Sequence, residues 1–212
     1  GSPEEVLSFL RQLGRKAKPQ AEEEMKLVES YAKNNHSLDE IKPWDIAYYS
    51  EKLKQDLFEI SDELLRPFFP VPRVLEGMFE VARRLFEIDI KENNTLATWH
   101  DDVLTFDIKR GHKVVASFYL DLYARENKRG GAWMAECRAK RIRLKGDLQK
   151  PVAFLTCNFS GPIGTNSALL SHQEVITLFH EFGHGLHHML TKVEVASVSG
   201  INGVCWDAVE LP

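Results

Sequence analysis

The chain has 212 residues, with 27 basic and 31 acidic side chains and a formal charge of −4. Hydrophobic residues at 43% and charged residues at 27% are ordinary for a globular protein and exclude a wholly disordered chain, while 13 Gly and 9 Pro exclude collagen-like or low-complexity sequence. The acidic balance gives no global attraction for nucleic-acid phosphates, and no stretch approaches the roughly 18 apolar residues of a membrane span.

Residues 1–90 read as helices. Val6, Leu7, Phe9, Leu10 and Leu13 recur at helical spacing, and Pro19 is expected to interrupt that run. Met25, Leu27, Val28, Tyr31 and Ala32 continue a helical pattern to the Asn34-Asn35 break. Pro43 suits the first turn of a helix through Trp44, Ile46, Ala47 and Tyr48 to Leu57, and Ser61 with Asp62 and Glu63 starts another. Residues 66–72, with Pro67, Pro70 and Pro72, read as a connection. Val74, Leu75, Met78, Phe79, Ala82 and Leu85 then mark a further helix.

The pattern changes near residue 88. Residues 103–108 and 114–120 have strand character and flank a turn at Gly111, so they predict a hairpin. Residues 152–157 predict a third strand, while 125–131 and 158–167 read as loops. A single strong helix is expected over Ser171–Leu190, followed by an irregular stretch and a new helix start at Asp207–Glu210. The sequence stops at Pro212, close to that start, which reads as a fragment. No N-terminal leader pattern is recognisable, and Gly1-Ser2 has the look of an expression scar. Cys137, Cys157 and Cys205 are too few and too scattered for a disulfide framework, so reduced thiols in a cytoplasmic protein are expected.

The informative residues lie inside the last long helix: His180-Glu181-Phe182-Gly183-His184, an HExxH pattern. Residues four apart share a helix face, so both imidazoles can reach one metal ion, and zinc suits them. Glu181, rotated away from the ligand row, can contact a water held at the metal, which is the general-base position for peptide hydrolysis. On a helical wheel His184 falls about 40° from His180, while Val175, Leu178, Phe179, Phe182, Leu186, Met189 and Leu190 fill the opposite arc. One face can therefore be buried while the other lines a cleft. His187 lies about 10 Å along the axis from His180, so packing, or support of a ligand from behind, is expected for it and for His188 rather than ligation. His36, His100, His112 and His172 stand alone and read as non-catalytic.

A catalytic zinc takes three protein ligands. Downstream candidates are Glu194, Asp207 and Glu210. Glu194 reads as a solvated residue; Asp207 and Glu210 could share one helix face, with Glu210 ligating. Asp207 is then a helix cap or a partner for a ligand histidine.

The run HEFGHGLHHML at 180–190 and the segment WDAVELP at 206–212 closely resemble the M3 (thimet oligopeptidase) family of zinc metallopeptidases. PWDIAYYSEK at 43–52, FYLDLYARENKRGGAW at 118–133 and KPVAFLTCNF at 150–159 support the resemblance, which spans most of the chain. It implies that His180, His184 and Glu210 ligate one zinc per chain and that Glu181 is the base. It implies a cytoplasmic peptidase acting on short peptides in a channel between helical lobes; the charge balance and the lack of an apolar span, rather than the resemblance, argue against a nucleic-acid or membrane partner. Full-length members of the family are much longer. They carry substrate-binding tyrosines and histidines beyond the point where this sequence ends, so the resemblance implies activity for the parent protein rather than for this stretch alone.

The fold expected is mainly α with a small antiparallel β-sheet (α+β), a zincin-type catalytic core with HExxH on a helix. Residues 1–90 would form a helical part, 91–165 the small sheet and loops, and 166–212 the metal-binding helix and third-ligand segment of one catalytic region. The strand at 152–157 could bind substrate backbone if its edge faces the cleft. Two other classes stay open: a zinc-binding module that holds peptides without cutting them, and a helical scaffold whose HExxH is accidental.

Overall fold

Ser2 and Glu5 form a reciprocal capping box at the start of α1 (Pro3–His36), with the Glu5 N–H donating to Ser2 Oγ at 3.3 Å and the Ser2 N–H to Glu5 Oε2 at 2.8 Å. The computed structural model describes residues 2–211. The chain divides into two units, one up to Leu64 and one from Leu65 onward.

In the first unit Pro19 does not interrupt α1, contrary to the sequence expectation; one helix runs through it. A proline inside a helix costs about 3 kcal/mol. However, Lys16, Ala17 and Lys18 precede it and Gln20, Ala21 and Glu22 follow it, all good helix formers, and extending an existing helix is cheaper than nucleating a second one. The Val6–Leu13 row is exposed, and Val28 and Ala32 are the buried residues of α1. The second helix, α2 (Ile46–Phe58), begins at Ile46 rather than at Pro43, because residues 43–45 form a turn in which Lys42 N–H donates to Asp45 Oδ2 at 3.0 Å. The Tyr31 hydroxyl donates to Asp56 Oδ2 at 2.6 Å and ties α1 to α2. Ser61 caps the short α3 (Asp62–Leu65), accepting from Leu64 N–H at 3.2 Å.

In the second unit α4 (Val71–Phe86) starts within the proline-rich stretch, since Pro72 occupies its first turn, where an N–H has no helical partner anyway. The strands are β1 (Asp89–Glu92), β2 (Leu104–Arg110), β3 (Lys113–Tyr123), β4 (Trp133–Arg138), β5 (Arg141–Ile142), β6 (Leu148–Gln149) and β7 (Val152–Phe159). Five form one sheet in the order β1-β2-β3-β7-β4, and β5 pairs with β6 separately. The β2–β3 hairpin is as expected. The sheet is mostly antiparallel rather than wholly so, because β3 and β7 run parallel.

Alternation along the two central strands builds the core. Ala116, Phe118, Leu120 and Leu122 of β3 and Ala153, Leu155, Cys157 and Phe159 of β7 are buried. They join Met78 and Ala82 of α4 and Leu178 and Phe182 of α5 (His172–Met189). Phe79 sits edge-on to Phe106 at 5.1 Å between ring centroids, and Phe118 meets Phe182 at 5.9 Å. A second aromatic group, Trp99, Tyr119 and Phe154, packs at 5.2–5.5 Å. The alternation sends Tyr119 and Phe154 to the other side of the sheet. No helix among the described residues is long and apolar enough to cross a membrane.

Candidate metal centre

Helix α5 is fixed at its start by a second capping box, Ser171 with Glu174: the Glu174 N–H donates to Ser171 Oγ at 3.2 Å and the Ser171 N–H to Glu174 Oε2 at 2.7 Å. It lies so close to the sheet that a Cβ on Gly185 would meet Leu155 Cδ2 at 2.9 Å. Two sides of α5 are buried, not one. Leu178, Phe182 and Met189 join the sheet core, while Glu181, His184 and His188 are also buried. Part of the expected apolar arc is open instead, with Phe179 39% exposed.

His180 and His184 point their Nε2 atoms at each other across 3.1 Å. Glu210 Oε2 lies 3.0 Å from His180 Nε2 and 3.3 Å from His184 Nε2. Three side chains thus bring one donor atom each to a common point. Two imidazoles and a carboxylate are a donor set for a tetrahedral ion of the zinc type, whose bonds of about 2.0–2.1 Å place neighbouring ligand atoms about 3.3 Å apart. The observed spacings fit that edge, so these residues could hold such a metal.

Glu181 sits beside this point and is 7% exposed. Burial raises its carboxyl pKa; His180, His184 and a backbone hydrogen bond from Met134 pull it down, and Glu210 pushes it up again, with a net rise. Cys157 is fully buried in β7; burial first, and then the Glu181 charge, push its thiol up to about 12, which makes it an inert thiol. All three cysteines are free.

The other sequence candidates lie elsewhere. Glu194 pairs with Lys140 Nζ at 3.5 Å. The helix expected at Asp207–Glu210 is a series of turns, closed by Ala208 N–H to the Cys205 carbonyl at 2.9 Å. Asp207 is exposed and contacts neither His180 nor His184 by a hydrogen bond or ion pair. His184 Nδ1 is buried with no hydrogen-bond partner among the described residues. His188 is fully buried and directs Nε2 at the Arg138 carbonyl, 3.0 Å away.

Around the three donors opens a cleft of about 350 Å³, lined also by Ala132, Trp133, Met134, Ile201 and Val209. The sequence reading missed β4, which supplies Trp133 and Met134. Its one signal was the aromatic-Met pair after Gly130-Gly131; the charges of Glu136 and Arg138 masked the alternation. The strand at 152–157 cannot offer an edge to a ligand, because β7 is paired on both sides, with β3 and β4. The sheet edge at the cleft belongs to β4.

The model of peptidase family M3 matches residues 1–212. Oligopeptidase A of Escherichia coli (strain K12) is 56% identical over 212 residues, covering 100% of this chain and 31% of that protein. An organellar oligopeptidase A, chloroplastic/mitochondrial, of Arabidopsis thaliana is 40% identical over 217 residues, covering 99% of this chain and 27% of the relative. Dipeptidyl carboxypeptidase of Escherichia coli (strain K12) is 35% identical over 213 residues, covering 100% and 31%. The chain therefore spans less than a third of the length of these relatives.

Proposed function

The chain belongs to peptidase family M3, and from that membership we propose that it carries the metal-binding core of a zinc-dependent endopeptidase that hydrolyses short oligopeptides. The observation that carries the reading is the convergence of His180 Nε2, His184 Nε2 and Glu210 Oε2 within 3.3 Å of one another, beside a buried Glu181. His180, His184 and Glu210 would hold the zinc. Bound there, zinc supplies Lewis acidity, polarising a carbonyl and acidifying water.

The chain's own residues do the rest. Glu181 takes the proton of the attacking water and delivers it to the leaving amine. The free edge of β4 pairs with extended peptide backbone and aligns the scissile bond along the cleft. Family membership and the names of the relatives support short peptides as substrates, and a cytoplasmic setting agrees with the three free thiols.

Turnover of short peptides by the full-length protein, with and without Glu181→Gln, tests the assignment. The variant keeps its zinc and loses activity by a factor of about 10²–10⁴. Turnover within a few-fold of wild type removes Glu181 from the role of base.

A further inference from the structure

Glu210 reaches the histidines from an exposed stretch with little to hold it. Its side chain is 70% exposed. The hydrogen bonds within residues 204–211 are local, Ala208 N–H to the Cys205 carbonyl and Leu211 N–H to the Ala208 carbonyl. Among the described residues, no hydrogen bond after Asn202 ties this stretch to the sheet or to α5, apart from the Glu210 carboxylate itself. The last anchor before the ligand is thus the turn at Ser199–Asn202.

That turn is fastened on two sides. Asn202 Nδ2 donates to Glu136 Oε2 on β4 at 2.6 Å and to the Ala196 carbonyl at 3.2 Å. Ser199, fully buried, donates from Oγ to the Val193 carbonyl at 3.0 Å. The second side is His188, one helical turn beyond His184. A carbonyl only accepts, so the bond to Arg138 fixes the proton on His188 Nε2 and turns Nδ1 the other way. Nδ1 is buried without a hydrogen-bond partner and faces Gly200, with Glu136 Oε2, the oxygen that holds Asn202, 3.8 Å away. A Cβ there would lie 2.5 Å from His188 Nδ1, 2.9 Å from its Cα and 3.0 Å from its carbonyl oxygen. Gly200 also has φ of +64°, a conformation that side chains disfavour. The next residue, Ile201, lines the metal cleft together with Glu210.

We infer that His188, pressed against Gly200, is a positioning residue for Glu210: the pair seats the turn from which the third ligand reaches back to the metal helix. This rests on the metal reading above. One helix then sets all three donors, His180 and His184 directly and Glu210 through the His188–Gly200 contact.

Zinc affinity measured by chelator competition on the full-length protein tests it. The variants are Gly200→Ala, His188→Leu and His188→Gln, each alone and combined with Glu210→Gln. Gly200→Ala and His188→Leu are expected to weaken zinc binding by about tenfold or more. His188→Gln, whose amide can still donate to the Arg138 carbonyl, recovers most of that loss. In the Glu210→Gln background the penalties largely vanish, because the carboxylate they act through is already gone. Equal penalties in both backgrounds report a general loosening and overturn the inference. If Gly200→Ala loses cooperative unfolding, the Leu and Gln variants of His188 in the two backgrounds decide the question. A wild-type protein that binds no zinc overturns the metal reading and this inference with it. Zinc binding weakened by Glu210→Gln but unchanged by Gly200→Ala and His188→Leu overturns this inference alone.

Discussion

Asp121 keeps a charge inside the sheet, and its neighbours explain how. The residue is 3% exposed on β3. Arg125 grips its carboxylate with two bonds of 2.6 and 2.7 Å, Lys128 adds one at 2.8 Å and Trp99 Nε1 another at 3.1 Å. Burial pushes the carboxyl pKa up, but the Arg125 and Lys128 cations outweigh it and hold it at about 2. A carboxyl whose folded pKa is depressed adds stability above its unfolded value of about 3.9, and that stability is lost as pH falls through the folded value. Asp121→Asn strands two cations and should cost about 3 kcal/mol near neutral pH, the low end for a buried pair because Arg125 is partly open to solvent. Urea unfolding of both proteins between pH 7 and pH 2 checks this. The stability gap should hold down to roughly pH 4 and close below it. A gap independent of pH contradicts the account. The same cluster holds the loop leading to β4, since Lys128 also donates to the Tyr123 carbonyl at 2.7 Å and Asn158 to the Arg129 and Gly131 carbonyls at 2.7 Å. The two histidines proposed as ligands, His180 and His184, were legible in the sequence because HExxH is a local pattern. Glu210 was legible as one of three acids, and its reach depends on a fold that spacing alone does not specify.

At the scale of the element, α5 is the part that sequence and structure share most closely. Its Ser171–Glu174 box and its length can be read directly from the chain. Its second buried side could not be, because that side packs on β4 and on the turn at Gly200, both distant in sequence or unrecognised. Gly185 records the close approach of helix and sheet. Gly185→Ala gains about 1 kcal/mol of helix propensity but forces Leu155, itself fully buried, to move, an overpacking cost of about 1–3 kcal/mol. The net expectation is a lower melting temperature, read by thermal unfolding; a higher one would show that Leu155 has room. Pro19 departs from its local expectation for the opposite reason. A proline locally disfavours helix, but the residues flanking Pro19 favour it strongly enough for α1 to continue through. The Asp207–Glu210 segment forms turns instead of the expected helix, because a spacing of three suits a turn as well as a helix.

At the scale of the molecule, sheet order was beyond the reach of sequence reasoning. β4 pairs with β7 across the β5–β6 hairpin, and β7 inserts parallel to β3, so neighbours in space are not neighbours in the chain. The consequence is functional: the strand the sequence advertised, 152–157, is central and sealed, while the less conspicuous Trp133–Arg138 forms the edge at the cleft. The second unit thus holds the whole proposed donor set in a chain that matches under a third of its relatives' length. The most direct test is metal content per chain after gel filtration, by elemental analysis of the full-length protein equilibrated with zinc, beside Glu210→Ala. The account predicts about one zinc per chain, with binding clearly weakened in the variant. A folded protein that retains no zinc, or a Glu210→Ala variant that binds as tightly as wild type, would contradict it.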